Sequence, residues 1–340
     1  MQIFRTPGSA APNIAALALT LLGWPLGIAL LVSSSWAYSW ALNAFGFALV
    51  VLALTWSAYF IHEFAHHAIF RKPETNARWG TLMTWVNGSC YAPFADLRRK
   101  HMRHHVERAD VITFDSRAFL LRSPTWFRNS VLALEWAYVP AVEFLMRGFV
   151  IALPFIDARK RDRRARIVAI ALVRIVAFAG LAWVSLKALL LYFVAYLVFI
   201  TLLRFADCFQ HTYDAYPILD DQPIPKDKLR DHAYEQANTY SDVVGLDNFW
   251  LNLLWLNFGF HNAHHERPTV PWHRLPAYHR ELYGEDRTQL ITVRELLRAF
   301  HVHRLTRVLS GDYGQVAGPA VPRRADGFVG AVGVSFLTAV

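Results

Sequence analysis

The sequence predicts an all-α integral-membrane protein, four transmembrane helices in two hairpins beneath a cytosolic helical cap. Three observations predict it. The chain is 54% hydrophobic and 14% aromatic with a mean hydropathy of +0.22, too apolar for an ordinary soluble domain of 340 residues. Four runs reach the length of about 20 apolar residues needed to cross the hydrocarbon core of a bilayer. The basic residues behind the net charge of +9 sit in short segments between these runs, where they set the sidedness of loops. The charge is therefore assigned to topology and not to nucleic acid.

The first run, residues 13–33, follows Arg5, is longer than a signal-peptide core and lacks a small-residue cleavage site, so it reads as a first span. A turn from Ser33 to Trp40, with Trp36, Tyr38 and Trp40 as interfacial aromatics, leads to the second span at 42–61. Runs 167–184 and 187–206 make the second hairpin, turning near Ser185 and Lys187. The stretch 131–156 is long enough to cross, but it carries Glu135, Glu143, Arg147 and Pro140. Crossing there would also put the basic run Arg159 to Arg166 on the opposite side from Arg71, Lys72 and Arg98 to Lys100. It is expected as an interfacial element, which leaves both termini and both large polar regions in the cytoplasm. Phe249 to Phe260 is too short to span, is interrupted by Asn252 and Asn257, and is expected to lie on the membrane surface. One domain then covers 1–310, and 311–340, ending in the apolar stretch Gly327 to Val340, is expected as a flexible tail.

Ten of the 15 histidines fall in four short windows: His62, His66 and His67 in HEFAHH; His101, His104 and His105 in HMRHH; His211 in DCFQH; His261, His264 and His265 in HNAHH. Residues three and four apart share a helix face, so each box aims two or three imidazoles at one point. The first box begins where the second span ends, and His211 follows the fourth span by one turn, so four spans bring all windows to one side. Imidazole suits iron, zinc, copper and nickel, and a single zinc takes about four ligands. More than twice that number argues for two metal ions. His232, His273, His279, His301 and His303 have no such spacing and read as ordinary histidines.

At these boxes the chain resembles the membrane fatty acid desaturase family, whose signature is three histidine boxes of the kinds HxxxH, HxxHH and HxxHH. The resemblance covers about residues 42–280 and extends to HNAHHERPTVPWHRLP, which is similar to the family's continuation after its third box. It implies a non-haem di-iron centre using oxygen, under a cytosolic cap, with a lipid or acyl-chain substrate. The implied ligands are His62, His66, His101, His104, His105, His211, His261, His264 and His265, and His67 completes the candidate set. In the family an asparagine can stand four residues before the additional histidine, where this chain has Asp207. Its carboxylate could be an anionic metal ligand or orient His211 from behind, or it could pair with Arg204, and both readings stay open.

Cys90 and Cys208 lie too far apart in sequence for a cluster or a disulfide framework, and no dinucleotide fingerprint or haem motif occurs. Electrons must come from another protein, such as a ferredoxin with its reductase. An unactivated C–H bond is beyond any side chain, so a cofactor carries that step. Desaturation, hydroxylation and ketolation stay open, and Trp85, Trp250, Trp255 and Phe258 are candidate tunnel residues. Two rivals remain. His62-Glu63-Phe64-Ala65-His66 also reads as the HExxH of a zinc protease, with only a weak echo of a later acidic ligand at Asp247. A metal transporter is the other, although its ligands belong near the bilayer midplane.

Overall fold

In the computed structural model the first hairpin is α1 (Ala10–Ser33) packed on α2 (Trp40–Ala65). The described residues are 3–35, 39–217, 230–246, 249–316, 324–332 and 335–340; Trp36, Tyr38 and Asp247 lie outside them. Small residues let the two helix backbones touch: a Cβ on Gly27 would come within 2.8 Å of the Gly46 carbonyl oxygen, and one on Gly46 within 2.9 Å of that of Gly27. The lower half of α2 is buried nearly all round, from Val50 to Ala65. It lies against α1, against α3 (Pro73–Asn87) and α4 (Phe94–Glu107), and against the last span.

After β1 (Asp110–Ile112) and α5 (Ser116–Arg122) comes the stretch expected to be interfacial. It forms two helices, α6 (Thr125–Trp136) and α7 (Ala141–Ile156), broken at Tyr138, whose φ is +61°, and Pro140. Neither is among the candidate spans. The carboxylate of Glu135 accepts from the Val142 amide at 2.9 Å and from Arg204 at 2.5 Å. Breaking such a buried pair typically costs roughly 3–5 kcal/mol. Arg204 therefore belongs to Glu135.

The second hairpin is α8 (Arg164–Val184) and α9 (Leu186–Asp207). Much of α8 leaves its apolar side chains bare, with Trp183 92% exposed. A stripe of this kind is what lipid covers. Four helical runs are long and apolar enough to cross a membrane: Ala10–Ser33, Trp40–Ala65, Ala158–Val184 and Leu186–Asp207. The protein is an integral-membrane protein.

Beyond α9, β2 (Ala215–Pro217) pairs in parallel with β1, Asp110 opposite Ala215. The remaining cap helices are α10 (His232–Ala237), α11 (Phe249–Asn252), α12 (His261–Glu266), α13 (Leu275–Tyr283), α14 (Val293–Val302) and α15 (Thr306–Leu309). Trp272 ties the cap to the membrane helices: its amide donates to Glu63 at 3.1 Å and its indole N–H to Asn13 of α1 at 2.9 Å.

The C-terminal segment departs from expectation. Its described residues are not a loose tail: Ala325, Phe328 and Phe336 to Val340 are buried. Phe328 packs on Phe209 and Tyr240, with ring centroids 5.2 and 5.4 Å apart. Gly330, at φ +81°, passes so close to α9 that a Cβ there would meet the Cys208 carbonyl oxygen at 2.6 Å. Phe336, Leu337, Ala339 and Val340 join the main core of the membrane helices. The apolar residues of the segment find surfaces that distant parts of the chain provide, in the cap and on the membrane helices.

Candidate metal centre

The first box occupies the last turn of α2, where His62 and His66 stand four residues apart on one face. His66 caps the helix, and His67, at φ +54°, turns the chain away. The second box lies on α4, with His101, His104 and His105 again at helical spacing. Before the third box, Leu256 and Asn257 adopt positive φ, +48° and +57°, and swing the chain from α11 into α12. Asn262 locks α12 in place: its side-chain amide donates to the Thr239 carbonyl at 2.7 Å and its oxygen lies 2.9 Å from the Ser241 hydroxyl. His211, just past α9, bridges backbone to Thr239 and stacks on Tyr213 at 4.4 Å.

These elements converge. Donor atoms of His62, His66, His101, His105 and His264 lie within 4.8 Å of one another, and so do those of His104, His211, His261 and His265. The closest approaches join Nε2 atoms: His66 to His101 at 2.7 Å, His211 to His261 and to His265 at 3.0 Å each, and His105 to both His101 and His264 at 3.2 Å. Two imidazoles each about 2.0–2.1 Å from one ion would be separated by distances of this order. The clusters abut, since the His105 and His265 ring centroids are 4.3 Å apart. His67, half-buried, belongs to neither.

Burial, reinforced by the neighbouring rings, pushes His66, His101, His105, His211, His261 and His264 well below the usual histidine range. His265 is pushed down to about 4, chiefly by burial. Neutral imidazole is the form that ligates a metal. Part of the set is also oriented from behind. His265 Nδ1 is 2.9 Å from Glu235, which is itself held by Arg108 at 2.9 Å. His104 Nδ1 lies 3.0 Å from the Ala109 carbonyl and 3.1 Å from Asp110. Such partners fix which nitrogen faces inward. The arrangement fits a pair of metal ions on the chemistry of its donors.

Sequence reasoning missed Glu235 and Asp110. Asp110 follows the second box by five residues, a spacing that could have drawn notice; Glu235 sits among HAYEQ with no periodic signal. A cavity of about 40 Å³ opens on the centre beside His101, His104, His211, His261, Asp207 and Phe258. Asp207 is half-buried, its two carboxylate oxygens are shielded from solvent, and among the described residues neither has a hydrogen-bond partner. With Arg204 turned to Glu135, the pairing considered for it from sequence is absent. Of the candidate tunnel aromatics, Phe258 lies against the His62 ring at 4.4 Å and Trp255 is buried, whereas Trp250 is 79% exposed and Trp85 is also exposed.

A family model described as fatty acid desaturase matches residues 34–296. The chain belongs to the fatty acid desaturase family. No curated protein and no solved structure matches it. As a desaturase-family member it is an oxidoreductase with a lipid or acyl substrate in a membrane setting, and the two histidine clusters fit the family's boxes. The HExxH reading weakens: Glu63 accepts the Trp272 amide, and His62 and His66 lie inside a five-histidine set.

Proposed function

We propose that the protein desaturates a fatty acyl chain, using oxygen at a di-iron centre and electrons from an external carrier such as a ferredoxin with its reductase. The observation that carries this reading is the convergence of nine imidazoles into two adjoining sets, more donors than a single zinc accepts. His62, His66, His101, His105 and His264 would hold one iron, and His104, His211, His261 and His265 the other. When bound and reduced, the irons supply the activation of oxygen and the attack on a C–H bond that no side chain can perform.

The chain's own residues do the rest. Glu235 and Asp110 hold His265 and His104 in the ligating orientation. Asp207 lines the cavity beside the four-histidine set and offers its carboxyl group to a polar ligand bound there. Phe258 and its apolar neighbours exclude bulk water from the reacting carbon. The boxes belong on the cytoplasmic side, with the basic segments, several of which hold this end together. Arg98 donates to the Ala65 carbonyl at 2.9 Å, and Arg166 to those of Cys90 and Tyr91 at 2.6 and 2.7 Å.

Incubation of the purified protein with saturated acyl lipids, a reduced ferredoxin system and oxygen, followed by mass spectrometry of the lipids, tests the proposal. A product lighter by two hydrogens supports desaturation. A product heavier by one oxygen moves the assignment to a hydroxylase or ketolase using the same site. Cleaved peptide with no lipid product would sink both.

A further inference from the structure

The cavity in front of the histidines is too small for the substrate that the preceding section assigns. At about 40 Å³ it has room for about three waters, at about 10–15 Å³ each, and none for an acyl chain. Part of its wall comes from the C-terminal segment: Ala331, Val332 and Phe336 face it alongside the histidines. The Phe336 ring sits 6.1 Å from Tyr59, 6.3 Å from His62 and 6.4 Å from Phe258, centroid to centroid. An apolar side chain thus fills the space next to a metal-ligating ring.

We infer that the seat of Phe336 is the acyl-chain site, and that the C-terminal segment is a plug that a saturated acyl chain displaces. This rests on the acyl-substrate reading above and adds a closed state to it. Both occupants are apolar, so the seat suits either. The segment is held by its buried apolar side chains and by one polar anchor: the Thr338 carbonyl accepts from Lys100 Nζ and from the Thr113 hydroxyl, each at 2.8 Å. Upstream, the Ala331 amide donates to the Cys208 carbonyl at 2.8 Å and Arg307 to that of Val329 at 2.8 Å, a firm root from which the end can swing.

The Thr113 and Thr338 hydroxyl oxygens are 3.2 Å apart, so the pair Thr113→Cys and Thr338→Cys can be joined by diamide and released by dithiothreitol. The probe is stearic acid carrying a photoreactive diazirine, with labelling near Phe258 and His62 mapped by mass spectrometry. Locking the segment should reduce labelling about tenfold or more, since only the open fraction binds, and reduction should restore it, while the parent protein responds to neither reagent. Equal labelling in the locked and released forms overturns the plug. Phe336→Ala, which leaves the fastening intact, should label more than the parent, and unchanged labelling would likewise count against it. Restored labelling with no oxidised lipid keeps the plug and removes the desaturase reading.

Discussion

The two histidine clusters differ in what holds them. The set of His62, His66, His101, His105 and His264 draws on three boxes, and among the described residues the Nδ1 atoms of His62, His105 and His264 meet no hydrogen-bond partner, as is true of only His261 Nδ1 in the other set. Helix spacing on α2 and α4 does the positioning. The set of His104, His211, His261 and His265 is assembled from shorter pieces, and two of its rings are steadied by Asp110 and Glu235. Three of its histidines line the cavity beside Asp207, and so does His101 of the first set. One site is built by rigid secondary structure; the other is steadied by outer carboxylates, and the cavity reaches both.

The largest effect should come from the rigid set. His66→Ala removes a ligand that no outer partner can replace, and iron analysis should find that cluster's metal lost and lipid oxidation abolished. Retention of full iron would place His66 outside the centre. In the steadied set the loss should be graded. Glu235→Gln should weaken metal retention about 10- to 100-fold, in chelator competition, at one of the two sites. Equal loss from both sites would erase the distinction drawn above.

Glu63→Gln probes the same end of α2 without removing a ligand, since the carboxylate only lies 3.9 Å from His62 Nδ1. The neutral side chain still accepts from Trp272, so iron content should hold and turnover should change by no more than a few fold. Complete loss of activity with metal retained would revive the HExxH reading.

The smallest effect concerns a buried histidine of neither cluster. Burial pushes His279 down to about 4. Between its ordinary value of about 6.5 and that folded value, the unfolded chain binds a proton that the folded chain does not. Stability therefore falls as pH drops through this window, by up to about 3 kcal/mol. His279→Gln should lessen that acid sensitivity in thermal melts and leave iron content alone; an unchanged pH profile would contradict it.

Much of this was readable in the sequence because strong constraints write it there. A bilayer demands long apolar runs, and the expected spans at 13–33, 42–61, 167–184 and 187–206 lie inside the four helical runs of the structure. Helical period likewise brings HxxxH and HxxHH imidazoles onto one face. Other features carry no period. Glu235 finds His265 only because α10 folds back over α12, and the partner of Arg204 proved to be Glu135, 69 residues away. The C-terminal segment is rich in small residues and reads as loose because the surface it fills is made by distant parts of the chain. His67 looks like its neighbour in the sequence and is separated from it by one backbone turn at positive φ.

The central claim is that nine histidines hold a coupled pair of irons. Metal analysis with Mössbauer spectroscopy of the detergent-purified protein tests it most directly. About two non-haem irons per chain in a spin-coupled pair are expected, as imidazole-rich paired sites allow. One zinc per chain with no iron would contradict it.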